Sequence, residues 1–266
     1  MDVLARNHVT LSGNGPSTMV FAHGFGCDQQ MWRFVAPAFA STHRVVLFDH
    51  IGCGHSDRSA YDMTRHAKLD GYADDVIEIL EAADLHDVVF VGHSVSAMIG
   101  VLASNRAPGR IANLVLIGPS PRYLNDPPGY IGGFERADID SLMDMMDGNM
   151  LGWADFLAPV VVGPEPTHEF TDELKTSFCA GDPFITRRFA AATFLADNRA
   201  DLPLVKVPSL IIQCAVDAIA QRSVGEYVHA HIQGSTLRVL DASGHCPHLT
   251  HPAETTRLIR EHLGLA

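Results

Sequence analysis

Three residues suited to acyl transfer are spread along this 266-residue chain: Ser94, Asp217 and His245. A serine hydroxyl is a weak nucleophile at neutral pH. It attacks a carbonyl only when an imidazole takes its proton and an acid holds that imidazole in the right tautomer. Each candidate follows an apolar run. Ser94 ends Val88-Val89-Phe90-Val91-Gly92-His93, Asp217 lies just beyond Val207 to Cys214, and His245 follows Thr236 to Leu240 through Ala242-Ser243-Gly244. Singly, Ser94 reads as a helix N-cap, Asp217 as a loop residue and His245 as part of a turn. Together, in the order Ser, Asp, His at three strand ends, they read as nucleophile, orienting acid and general base. The backbone N–H groups of Phe25 and Val95 are the matching oxyanion donors, a contribution of about 3–4 kcal/mol each. His23 and Gly24 place Phe25 for that role.

A metal reading competes for the same region, because His245, His248 and His251 are spaced three apart. Pro247 and Pro252 break any helix that would align them, and no acidic or cysteine partners complete the set. The expectation is therefore no metal and no cofactor. Cys246 reads as a packed thiol and His93 as a structural residue of the serine corner. His8, His43, His66, His86, His168, His229, His231 and His262 read as surface or helix-end residues.

The elements that must position these residues follow from hydrophobic patterning. Met19 to Ala22, Val45 to Phe48, Val88 to Val91, Leu114 to Ile117 and Leu210 to Ile212 are short apolar runs typical of strands buried on both faces. Helical patterns separate them: Met31 to Ala40, Tyr72 to Ala83, the stretch after Ser94, and Pro252 to Leu263. Strict alternation predicts a mostly parallel sheet flanked by helices, with right-handed crossovers. The serine corner reads G-x-S-x-S, with Ser96 where G-x-S-x-G has its second glycine. Corner and residue order match the α/β-hydrolase fold. After Pro121 the alternation stops. Phe134 to Met146, Met150 to Val161, Glu169 to Cys179 and Pro183 to Ala196 read as four helices, rich in Met, Phe and Trp. The expected division is a core of residues 1–121 and 200–266 with a helical lid, 122–199, inserted in it. Most of the lid's apolar residues read as helix packing, and the rest as lining of an apolar pocket.

A net charge of −12 without a basic cluster excludes nucleic acid and anionic membranes as partners. The first residues lack a signal-peptide pattern, and no apolar run approaches a bilayer's thickness. Five cysteines without framework spacing suit reduced thiols, so a cytoplasmic, soluble protein is expected.

Several stretches resemble the RsbQ family of bacterial stress-signalling α/β hydrolases, relatives of the plant strigolactone and karrikin receptors. These are His23-Gly24-Phe25-Gly26-Cys27-Asp28-Gln29, Gly54-His55-Ser56-Asp57, Val91-Gly92-His93-Ser94-Val95, Tyr123-Leu124-Asn125-Asp126 and Gly244-His245-Cys246-Pro247-His248. The resemblance runs over essentially the whole chain. It implies a V-shaped four-helix lid over a deep apolar pocket with the triad at its floor, and a pocket that includes Phe25, Phe134, Trp153, Phe194 and His245. Bacterial members are similar in acting upstream of a partner phosphatase, here expected to carry a PAS domain. Plant members hydrolyse a butenolide ester slowly and change shape to recruit partners. Three positions depart from the bacterial pattern. Ser96 follows the plant receptors. Leu157 replaces a phenylalanine and enlarges the pocket. Gln221 replaces a proline, which predicts a less restrained loop after Asp217. The expected function is a serine hydrolase acting on a small hydrophobic ester or lactone. The alternative is a ligand sensor whose output is a protein contact made by the lid. A dehalogenase is disfavoured because its nucleophile would be an aspartate at position 94.

Overall fold

The β-branched runs form seven strands: β1 (Thr10–Ser12), β2 (Ser17–Ala22), β3 (His43–Phe48), β4 (Val88–His93), β5 (Ile111–Ile117), β6 (Ser209–Val216) and β7 (Thr236–Ser243). The structure is a computed structural model that describes residues 2–164 and 168–265. The strands make one sheet in the order β1-β3-β2-β4-β5-β6-β7, parallel throughout except for the antiparallel β1 on β3. Strand side chains alternate between two buried faces. Val20 and Ala22 of β2 join one apolar cluster with Phe90 of β4, while Met19 and Phe21 join another with Val89 and Val91. Both faces of the central strands are dry, which explains why they read as unbroken apolar runs rather than as alternating ones.

Ten helices cover the described residues. The short α1 (Val3–Arg6) is tied to α2 (Leu69–Ala82) by Arg6, which pairs with Asp75 and Glu78 at 3.3 and 2.6 Å. Helix α3 (Val95–Arg106) follows β4 directly. Between β5 and β6 lie α4 (Arg136–Gly148), α5 (Met150–Val162), α6 (Glu169–Ala180) and α7 (Pro183–Phe194). Their buried Met143, Trp153, Phe178 and Phe189 belong to the same cluster as Val20 and Phe90. Part of the expected lid, residues 165–167, lies outside the described residues. Helices α8 (Arg222–His231), α9 (Pro247–Thr250) and α10 (Pro252–His262) complete the chain. None of the described helices is long and apolar enough to cross a membrane.

Two local readings are corrected. Met31 to Ala40 is not one helix but two 3₁₀ turns, Gln29–Trp32 and Ala36–Phe39. Pro37 removes a backbone donor and disfavours the helical conformation just before it, so the α-helix cannot run through. His43 and His66 are buried rather than superficial. Their apparent polarity is met locally: His66 bonds Asp75 at 2.9 Å and His43 bonds Thr42 at 2.9 Å.

Helix α3 is buried along nearly its whole length, and it reaches the sheet through Gly100. A Cβ there would sit 2.5 Å from the Phe90 ring. Gly100→Ala therefore trades a favourable helix propensity of about 1 kcal/mol for an overpacked contact of about 1–3 kcal/mol. A lower urea midpoint with an unchanged slope is the expected result, measured by circular dichroism.

Candidate active site

The strand-to-helix corner puts Ser94 at φ 56°, ψ −120°, a conformation side-chain-bearing residues rarely adopt. Its amide is anchored by donation to Ile117 O at 2.8 Å. Gly92 makes the sharp turn possible, because a Cβ there would lie 2.4 Å from the Ser96 carbonyl oxygen. The Ser94 hydroxyl is thereby fixed at the carboxyl edge of β4, where α3 opens and the first helical N–H groups lack intrahelical acceptors.

Ser94 Oγ donates to His245 Nε2 at 2.8 Å, and His245 Nδ1–H donates to Asp217 Oδ2 at 2.8 Å. All three residues are buried. Asp217 is held by further donors: the amides of Ile219 and Ala220 at 2.8 and 3.0 Å, and Gln213 Nε2 at 3.3 Å. Gln213 also donates to Ala220 O at 2.6 Å, closing the loop after β6 on itself. The loop is therefore well restrained without a proline at 221. Gln221 instead opens α8, its carbonyl accepting from Val224 N at 2.8 Å. Gln213 was missed at the sequence level, although an amide inside Leu210-Ile211-Ile212-Gln213-Cys214 is the kind of buried polar residue that needs a partner.

The loop carrying His245 is gripped from both sides. His245 N–H donates to Val161 O of α5 at 2.7 Å, and His93 Nε2–H donates to His245 O at 2.8 Å. Gly244 adopts φ +104°, and a Cβ on it would lie 2.0 Å from Val162 O. The imidazoles of His93 and His245 pack at 4.9 Å, and those of His93 and His248 at 4.3 Å. Burial pushes His248 down to about 3, so it is a neutral ring in this stack. His245, His248 and His251 do not converge: His251 is an exposed residue between α9 and α10, bonded to Thr250 Oγ1. His93, Cys246 and His248 do come together, their ligand atoms within 4.8 Å of one another. His93 Nδ1, however, is covered by Gly24, where a Cβ would be only 2.5 Å away, and Nε2 is committed to His245 O.

Ser94 and His245 open onto a small, mainly apolar cavity, shared by Phe25, Leu157 and Phe194 from the expected set. Trp153 and Phe134 stand one layer back. Trp153 packs on Phe25 and Phe178 at 6.2 and 4.9 Å, and Phe134 packs on Tyr123 at 6.4 Å. Tyr123, Cys27, Phe178, Leu174 and Ile219 line the cavity and were not foreseen. Tyr123 matters chemically, since its hydroxyl lies 3.4 Å from Ser94 Oγ. Burial raises its phenol far above the usual range, so it is a donor at any working pH. Its only advance signal was its place in Tyr123-Leu124-Asn125-Asp126. Burial likewise raises the Cys27 and Cys246 thiols, which removes them as competing nucleophiles. Phe25, Cys27 and Phe178 also border a second small cavity, lined by Gly52, Gly54 and Gly181.

A sheet of this topology with Ser94, Asp217 and His245 at its carboxyl edge has known counterparts. Residues 19–258 match the model of the Alpha/beta hydrolase family. The chain belongs to that family. This α/β hydrolase is 39% identical over 252 residues to a strigolactone esterase, RMS3, of Pisum sativum, covering 94% of each chain. It is 37% identical to the strigolactone esterase D14 of Arabidopsis thaliana, covering 98% of each. It is 38% identical to the Karrikin insensitive 2 receptor CA of Petunia hybrida, covering 97% of this chain and 95% of that one. Among solved structures, a hydrolase from Oleispira antarctica superposes with a TM-score of 0.97 at 43% identity, over all of this chain and 97% of the other.

The grip on the His245 loop gives a test of the geometry. In Gly244→Ala the new methyl group collides with the end of α5 and must push the His245 loop away from Ser94. A displacement of about 1 Å lowers turnover by about 10²-fold. Steady-state kinetics on a short-chain aryl ester, with far-ultraviolet circular dichroism as the folding control, measures it.

Proposed function

We propose that this α/β hydrolase is a cofactor-free serine hydrolase of small hydrophobic esters or lactones. The observation that carries the reading is the continuous Ser94–His245–Asp217 hydrogen-bond chain at the wall of an apolar cavity. In the first half-reaction Ser94 Oγ bonds to the acyl carbon as its proton passes to His245 Nε2. The carbonyl π-pair moves onto oxygen, which the amides of Phe25 and Val95 receive. Collapse expels the alkoxide, protonated by His245, and leaves an acyl-serine. In a lactone that alcohol stays tethered to the acyl group. Water, deprotonated by His245, then releases the acid. Asp217 keeps the proton of the resting imidazole on Nδ1 and balances its transient positive charge.

Residues 122–199 serve in this reading as a lid whose inner face, with Leu157, Phe194 and the second layer of Phe134 and Trp153, selects the substrate by shape. The names of the plant relatives, strigolactone esterases and karrikin receptors, favour a compact lactone-like ligand.

One contact favours a second reading, a ligand sensor with slow turnover. The end of α5 is bonded to the amide of His245, so whatever occupies the catalytic cavity presses on the lid and the base together. The output would be a protein contact made by the lid. The RsbQ resemblance points to a PAS-domain phosphatase, or another signalling protein, as that partner.

Ser94→Ala is expected to abolish hydrolysis of a short-chain aryl ester, a loss of about 10⁴-fold or more. Unchanged turnover overturns the nucleophile assignment. The two readings separate in the same variant. A butenolide that shifts its melting temperature, and raises its affinity for such a phosphatase, supports the sensor. Identical affinity with and without ligand leaves the hydrolase alone.

A further inference from the structure

Ser96, His50 and His23 form a closed circuit of hydrogen bonds that the hydrolase reading has not used. All three side chains are fully buried. His50 N–H donates to His23 Nε2 at 3.1 Å, and His50 Nε2–H donates to Ser96 Oγ at 2.7 Å. The Ser96 hydroxyl donates to the backbone oxygen of His23, and His23 Nδ1–H donates to Gly24 O at 2.8 Å. The rings of His23 and His50 meet edge to face at 4.8 Å. Burial lowers both imidazoles below their ordinary range, so each is neutral, with one donor and one lone pair. With neutral rings, only one arrangement of protons satisfies the four bonds. His23 takes its proton on Nδ1, His50 on Nε2, and the Ser96 proton points at the His23 carbonyl.

This circuit acts on the peptide groups next to the proposed oxyanion donor. A peptide bond is planar, so the Gly24 C=O and the Phe25 N–H point in opposite directions in one rigid plane. Holding the Gly24 oxygen by His23 Nδ1–H therefore sets the direction of the Phe25 N–H. Ser96 holds the preceding carbonyl, and it sits in the first turn of α3, two residues after the nucleophile. The donor loop is thus referenced to the same helix start that carries Ser94.

We infer that Ser96, at the position where G-x-S-x-G has glycine, is a positioning residue that, through His50 and His23, aims the Phe25 amide at the reacting carbonyl oxygen. A glycine here permits the turn but leaves the oxyanion loop unreferenced. The serine permits the turn and adds a tie. The inference rests on the hydrolase reading, because only there does Phe25 N–H have an oxyanion to meet.

The test compares wild type, Ser96→Ala and Ser96→Thr on a short-chain aryl ester, with phenylboronic acid as the probe of the tetrahedral state. Boron bonded to Ser94 Oγ places an oxygen where the oxyanion forms. A loosened donor lowers kcat by about tenfold, less than the loss of a whole donor, while KM stays within about twofold. Boronate affinity falls by the same factor, the ¹⁵N–¹H resonance of Phe25 shifts, and Ser96→Thr, which keeps the hydroxyl, restores all three. Should Ser96→Ala fail to fold, Ser96→Gly removes the same hydroxyl without adding volume. Unchanged kcat, boronate affinity and Phe25 resonance in a folded variant lacking the hydroxyl would reduce Ser96 to packing. If wild type neither turns over the ester nor takes up boronate, the hydrolase reading fails. The Phe25 resonance in Ser96→Ala then still decides whether the tie exists.

Discussion

The 2.8 Å hydrogen bond between Ser94 and His245 joins residues 151 positions apart, and the rest of the molecule is arranged to make it. Ser94 stands on β4 at the centre of the sheet, whereas His245 follows β7 at its edge, three strands away. The imidazole must therefore reach back over the ends of β6 and β5. Asp217 at the end of β6 takes its Nδ1–H on the way. At the end of β5 the ring lies over Gly118, where a Cβ would be 2.9 Å from His245 Cε1. A flat seat at Gly118, Asp217 and Ser94 at the ends of neighbouring strands are possible only because these strands run parallel and every relevant loop leaves the same edge.

Such a reach needs rigid loops, and the structure supplies them through backbone contacts rather than bulk. His245 is bonded through both its amide and its carbonyl, and Asp217 through two loop amides and a buried glutamine. Ser94 is held in a strained conformation by a glycine and by a bond to β5. On the proposed mechanism, each restraint removes freedom that these groups would otherwise lose on reaching the transition state.

What the sequence made legible follows the same logic. Strand ends are easily read when strands are buried on both faces, so Ser94 and Asp217 could be placed from Val88–Val91 and Leu210–Ile212, while His245 follows the half-exposed edge strand β7 and is placed by Gly244 and by its order after Ser94 and Asp217. Gln213 was overlooked because its partner, the Asp217 loop, exists only after folding. The segment Met31 to Ala40 carried helical spacing, but Pro37 outweighed it. The pocket was harder still. Trp153 is an aromatic residue at helical spacing, as cavity-lining residues are, and the layer it occupies depends on the rotation of α5, whereas Phe134 precedes α4 and is placed by backbone bonds to Tyr123 and Asn125. Tyr123 has no periodic signature at all, since its loop owes its path to hydrogen bonds such as Tyr130 Oη to Arg122 O at 2.6 Å.

The contact between α5 and the His245 loop couples the helices between β5 and β6 to the Ser94–His245 pair. Gly163 and Gly244 approach so closely that a Cβ on the former would lie 2.8 Å from the latter's Cα, and the His245 amide has Val161 O as its acceptor. Moving the end of α5 outward breaks that bond and leaves a buried amide unsatisfied, at about 1–3 kcal/mol, unless His245 follows. If it follows, the imidazole leaves Ser94, which on the proposed mechanism stops turnover. If it stays, the helix is pinned and the cavity keeps its shape. On the proposed reading, a lid displaced by its occupant would therefore lower the hydrolytic rate by the same movement that changes its outer face. On the same reading, fast hydrolysis requires an occupant small enough to leave α5 where it is.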